Sequence, residues 1–104
     1  MSDFVISPVA RSDLDEIWDY YAIDLQNPDA ADRIRDEIFA AFSKLARTPG
    51  IGHIRNDLAK EPLRIWHVRS YLIIYRGEKR PLEVARVLHG ARDVQAILDG
   101  ESRD

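Results

Sequence analysis

Apolar residues recur through the first half of the chain at steps of three and four. Ala10, Leu14, Ile17, Trp18, Tyr21 and Leu25 fall on one face of a helix, with Asp13, Asp15, Glu16 and Asp19 assigned to its outer face. Ser7-Pro8 supplies a start, because a serine hydroxyl can accept an early backbone N–H and a proline in the first turn has none to lose. Asn27-Pro28 repeats that signal. It ends the first helix and opens a second, from Pro28 to about Arg47, with Ala31, Ile34, Ile38, Ala41, Phe42 and Leu45 on its stripe. A break this short between two amphipathic helices predicts an antiparallel hairpin. Ahead of it, Phe4-Val5-Ile6 reads as an edge strand.

The period changes after Arg47. Thr48 to Pro62 holds two prolines and two glycines without a sustained pattern and reads as a loop. Three runs rich in isoleucine, valine, tyrosine and tryptophan follow, Leu63 to Arg69, Tyr71 to Arg76 and Leu82 to His89, joined by connections short enough for hairpins. Glu78 to Pro81 predicts a turn, Ala91 to Leu98 a short helical segment, and residues 99–104 a frayed tail. Residues 1–98 therefore make one α+β domain in the order β-α-α-β-β-β. An N-terminal edge strand and an antiparallel two-helix hairpin are expected to pack on a small antiparallel β-sheet.

One helical hairpin covers one sheet face, and a strand covered on one face alternates apolar and polar residues. These strands do not: Tyr71, Ile73 and Tyr75 oppose Leu72, Ile74 and Arg76. The second face is thus expected to be a partly apolar, arginine-studded contact surface formed by Arg64, Trp66, Leu72, Ile74, Arg76, Val84 and Arg86.

Composition narrows the chemistry. With 104 residues the chain can bury one core, and with no cysteine it has neither disulfides nor a zinc–thiolate site. No apolar run approaches the ~20 residues that cross a bilayer, and the start of the chain does not resemble a signal peptide, so a cytoplasmic location without membrane contact is expected. The net charge of −3 hides an asymmetry: residues 1–48 hold ten acidic and five basic side chains, residues 55–92 four acidic and nine basic. That division predicts a polarised surface. His53, His67 and His89 have no metal-ligand spacing, and neither a glycine-rich phosphate loop nor a GxSxG elbow is present. No metal or cofactor is expected. What remains is a basic cluster, Arg55 with Arg86, His89 and Arg92, suited to a polyanion or an acidic surface because the guanidinium pairs bidentately with phosphate and carboxylate.

An ordered set of segments adds a family resemblance. It comprises Ala10, Asp13-Leu14 and Ile17-Trp18-Asp19-Tyr20, then Asn27-Pro28-Asp29-Ala30-Ala31, then Pro49, Gly52, Arg55 and Asp57-Leu58. Tyr71-Leu72-Ile73-Ile74-Tyr75-Arg76 and Val87-Leu88-His89-Gly90-Ala91-Arg92-Asp93 complete it. In these the chain resembles the ParE toxins of the RelE/ParE superfamily, the toxic halves of bacterial type II toxin–antitoxin pairs. The resemblance implies a cognate antitoxin whose tail folds as it binds. ParE-like members are associated with poisoning DNA gyrase; RelE-like members are metal-free, ribosome-dependent mRNA endonucleases. On the gyrase reading Arg55, His89 and Arg92 contact the target, the seven-residue sheet face binds antitoxin, no residue is catalytic, and the toxin alone does not bind DNA. On the ribonuclease alternative Arg86 and Arg92 stabilise the cleaving phosphate and His89 moves a proton. After Arg92 no tyrosine, histidine or lysine follows, and the net charge of −3 is low for an RNA-directed protein, so the gyrase reading is preferred.

Overall fold

The computed structural model describes residues 3–55 and 62–90. The expected helical segment at 91–98, the tail at 99–104, Arg92 and Asp57-Leu58 lie outside the described residues. Strand β1 (Phe4–Ile6) leads into helix α1 (Pro8–Asp19), which runs on through a π-helical turn over Tyr20–Asp24. Helix α2 (Pro28–Arg47) returns antiparallel, and a 3₁₀ turn at Pro49–Ile51 leads to β2 (His53–Arg55), β3 (Leu63–Val68), β4 (Tyr71–Arg76) and β5 (Leu82–His89). Both helix starts are capped as the sequence predicts. Ser7 Oγ accepts the Ala10 N–H at 3.0 Å and Asn27 Oδ1 accepts that of Ala30 at 3.1 Å, each followed by proline.

The strands form one sheet in the order β1-β5-β4-β3-β2. The expected α+β class holds, with two differences in the sheet. It is mixed, because β1 joins β5 in parallel, with Phe4 opposite Leu82 and Ile6 opposite Val84. It also gains β2 inside the segment read as a loop, where His53-Ile54-Arg55 pairs antiparallel with Ile65-Arg64-Leu63. All three β2 residues are exposed, so the strand has no apolar alternation to betray it; backbone pairing alone defines it.

The helical hairpin covers one face. Ile34, Ile38, Phe42 and Leu45 of α2 and Ala10 of α1 join Tyr71, Ile73, Tyr75, Leu82, Val84 and Val87 in the larger core cluster. The other face is not open as expected. Leu63, Ile65, Ile74, Ala85 and Leu88 form a second buried cluster there, with Ile74 0% and Leu88 1% exposed and Leu72 packed against it. The continuous apolar character of the strands therefore reflects burial on both faces.

A β-bulge breaks the parity used to select the contact face. Tyr75 lies opposite Val84 but Ile74 opposite Arg86, which leaves Ala85 as the extra residue on β5. Leu72 and Ile74 lie on the far face, and Arg76 follows them by alternation. Trp66 and Val84 instead belong to the helix-side core, and Arg64 lies opposite the helix-side Tyr75. The seven residues do not share a face: the regular β3–β4 register sets Arg64 and Trp66 opposite the helix-side Tyr75 and Ile73, and the extra residue on β5 separates Val84 from Arg86.

Candidate functional site

The end of β5 is built around Asp13. Strand β1 accompanies β5 only as far as Val84, and beyond it the β5 edge has no neighbouring strand on that side among the described residues. Residues around α1 replace the missing partner in steps. The Ser7 N–H donates to the Val84 carbonyl (3.0 Å), the Ser7 hydroxyl to the Ala85 carbonyl (2.8 Å), and Asp13 Oδ2 accepts the Val87 N–H at 3.0 Å. The same carboxylate holds the Arg86 guanidinium in a fork, Nε to Oδ2 and Nη2 to Oδ1, both at 2.8 Å. The side chains are only 6% and 11% exposed. A fork of this kind fixes α1 against β5 by direction as well as charge.

The expectation that Asp13 lies on the outer face of the helix does not hold: it is the one buried charged residue among the described residues. A signal for this was present. Position 13 is three beyond Ala10 and four before Ile17, inside the apolar stripe, where an acid has to find a partner. Its partner arginine lies 73 positions away, which no local pattern reveals.

Beside this pair, a cleft of about 450 Å³ lies between the end of α1 and the end of the sheet, lined by Glu16, Tyr20, Tyr21, Tyr71 and His89 with Asp13 at its base. Tyr71 and His89 are directly opposed on β4 and β5, and their rings meet edge to face at 5.6 Å and 88°. Tyr20 and Tyr21 meet likewise at 5.2 Å and 79°. The π-helical turn contributes here. Leu25 N–H bonds back five residues to the Tyr20 carbonyl at 3.0 Å, and that widened turn begins where the two adjacent tyrosines face the cleft. Burial raises the Tyr71 hydroxyl well above the ordinary phenol range, with a hydrogen bond to Tyr21 adding to the shift. Tyr21 of the helix stripe and Tyr71 of the strand are thus cleft residues, and Tyr20 joins them there.

The basic residues expected to converge do not. Arg86 is committed to Asp13. Arg55 stands opposite Leu63, whereas His89 stands opposite Tyr71, itself opposite Val68. Three strand spacings and the length of β3 separate them, on the order of 20 Å. Arg64 donates to the carbonyls of Gly50 (3.2 Å) and Gly52 (2.8 Å), tying β3 to the turn before β2. Arg76 pairs across the strands with Glu83 at 2.7 Å, and Trp66 carries Lys44 Nζ 5.1 Å from its ring centre. Two ion pairs, one buried and one exposed, spend part of the polarised charge of the sequence. Asp13–Arg86 joins the acidic α1 to β5, and Glu37–Arg69 joins α2 to the turn after β3. Among the described residues no group of histidines and carboxylates is arranged to hold a metal ion.

A family profile described as the ParE toxin of the type II toxin–antitoxin system, parDE, matches residues 4–94, which takes in every element above. The chain belongs to the ParE toxin family. Two curated relatives agree. It is 33% identical over 99 residues to a protein named Toxin ParE1 from Mycobacterium tuberculosis (strain ATCC 25618 / H37Rv), covering 93% of this chain and 98% of the relative. It is 33% identical over 98 residues to a Toxin ParE1 from Caulobacter vibrioides, covering 94% and 99%. The matched stretch covers nearly all of this ParE-family chain and of each relative. Among the described residues, no helix of this ParE-family protein is long and apolar enough to cross a membrane.

Proposed function

We propose that this chain is the toxin of a type II toxin–antitoxin pair, that a cognate antitoxin neutralises it, and that it arrests growth in the cytoplasm by inhibiting DNA gyrase through protein–protein contact. Family membership supports the toxin role. One observation carries the choice of a non-catalytic mechanism: Arg86, which a ribonuclease would use on the cleaving phosphate, is held bidentately by Asp13 and is 11% exposed. A guanidinium already neutralised by a buried carboxylate is a poor phosphate ligand, since releasing it would strand a buried charge. His89 lies against Tyr71 at the rim of the cleft, an exposed position suited to a contact residue.

Target contact is therefore assigned to His89 and Arg92. Arg55, at the far corner of the sheet, is assigned to a separate part of that contact or to none. Antitoxin contact shifts from the buried far face to residues that are reachable: Leu72 and Arg76 at its margin, and Tyr20, Ile23 and Leu25 at the tip of the helical hairpin, the last three 48%, 64% and 51% exposed. Adding the purified chain to a gyrase supercoiling reaction tests the target. Inhibition that rises with toxin and is relieved by antitoxin is expected, and unchanged supercoiling at saturating toxin would remove gyrase from the proposal.

A further inference from the structure

We propose that the cleft of Tyr20, Tyr21, Tyr71 and His89 is a pocket for an arginine side chain of the antitoxin, with Glu16 as the counter-charge; the identity of the occupant rests on the antitoxin reading above. Four aromatic rings line one cleft, arranged as two edge-to-face pairs. Tyr20 is 48% exposed and Tyr21 half-buried, so tyrosine surface is reachable from the cleft, and the face of a tyrosine ring is where a cation is attracted; Tyr71, 5% exposed, belongs to the buried wall.

The charges around the cleft agree. Among the described residues its lining includes no lysine or arginine. Of its two carboxylates, Asp13 is consumed by Arg86 and the Val87 N–H, while exposed Glu16 forms no ion pair among the described residues. A second lobe of about 480 Å³ shares Tyr21, Ser70 and Tyr71 with the first and has Arg33, together with the Glu37-paired Arg69, in its wall. A cationic side chain is therefore directed to the lobe with Glu16. A planar guanidinium suits tyrosine faces better than an ammonium because it stacks on a ring while its edge N–H groups reach a carboxylate. The exposed apolar tip at Tyr20, Ile23 and Leu25 adjoins the cleft and gives a protein partner hydrophobic area that a free small molecule would not use. An arginine seated here covers His89, so the antitoxin would neutralise by occluding a target contact.

The test titrates N-acetylarginine amide and its neutral analogue N-acetylcitrulline amide into the full chain, following the ring resonances of Tyr20, Tyr21, Tyr71 and His89. Saturable shifts with the arginine amide only are expected. Equal responses to the two amides would overturn the pocket. In parallel, Glu16→Gln and Tyr20→Leu, both at exposed positions, are each expected to weaken the toxin–antitoxin complex about threefold to tenfold, from the loss of one exposed cation–π or ionic contact. A complex of undiminished affinity in both variants overturns the pocket alone. A chain that binds the arginine amide but forms no complex with its antitoxin overturns the occupant and the antitoxin reading together.

Discussion

Along the β5 edge, the backbone left without a strand partner beyond Val84 is met by a carboxylate. Asp13 takes the Val87 N–H and holds Arg86 in the same grip. Toward the β2 side, the turn at residues 49–52 is met by a phenol. Tyr75 accepts the Gly52 N–H at 3.0 Å and donates to the Pro49 carbonyl at 2.8 Å, and a Cβ on Gly52 would overlap its hydroxyl. Each group ties a helical segment or turn to the sheet from a buried position. The ionic anchor fixes orientation through a fork but needs its arginine; the neutral anchor is self-sufficient and tolerates a smaller loss. Buried ion pairs are dangerous to break singly because the survivor keeps its desolvation cost, whereas a lost neutral hydrogen bond costs only what its unsatisfied ends require.

The largest effect is expected at the ionic anchor. Asp13→Ala should cost about 3–5 kcal/mol in urea unfolding, because a nine-tenths buried guanidinium loses its carboxylate. The double variant Asp13→Leu, Arg86→Met should recover much of that loss, short of full recovery because the Val87 N–H stays unsatisfied. If the double variant is as unstable as the single, the burden lies in packing and the contrast drawn here is wrong. Next comes the neutral anchor. Tyr75→Phe should cost about 1–3 kcal/mol, since the Gly52 N–H and the Pro49 carbonyl both lose their partner. A Tyr75→Phe loss equal to that of Asp13→Ala would erase the distinction.

Alkaline titration sharpens it further. Burial is the main cause that raises the Tyr71 and Tyr75 hydroxyls above the ordinary phenol value. The folded state thus holds these protons more tightly than the unfolded chain, and the associated stability is complete below about pH 10 and declines as pH rises beyond it. Unfolding at high pH should be accompanied by phenolate absorbance, and the Tyr71→Phe, Tyr75→Phe double variant should show a flatter stability profile there. The smallest effect is expected at the exposed Glu37–Arg69 pair. Its hydrogen bond to Arg69 lowers the Glu37 pKa, so the pair's contribution is present above the ordinary carboxylate value and lost as pH falls through the depressed one. Because both groups are solvent-exposed, Glu37→Gln should leave the urea midpoint nearly unchanged, and a large drop would show that this surface pair was misjudged.

Local signals were legible because they depend on neighbours in the chain. Ser7-Pro8 and Asn27-Pro28 cap the two helices where the sequence places them. The stripe of Ile34, Ile38, Phe42 and Leu45 is the buried stripe of α2. The ordered segments from Ala10 to Asp93 pointed to the family that the profile match bears out. Strand β2 escaped because three exposed residues carry no period, and the expected contact face does not assemble because the β3–β4 register and an extra residue at Ala85 set the parity, neither of which leaves a mark in composition.

The sequence by itself determined the helical hairpin, the three long strands and the family, since caps, periods and ordered motifs are properties of short stretches. Only the tertiary structure decided that Asp13 is buried, that Arg86 belongs to it and not to a ligand, and that both sheet faces are covered. It alone decided that Tyr20, Tyr21, Tyr71 and His89 line one cleft. The ion pair and the cleft depend on pairings across 50 or more positions, from α1 to β4 and β5, and the energy of a buried charge or a ring contact is set by what the fold brings beside it.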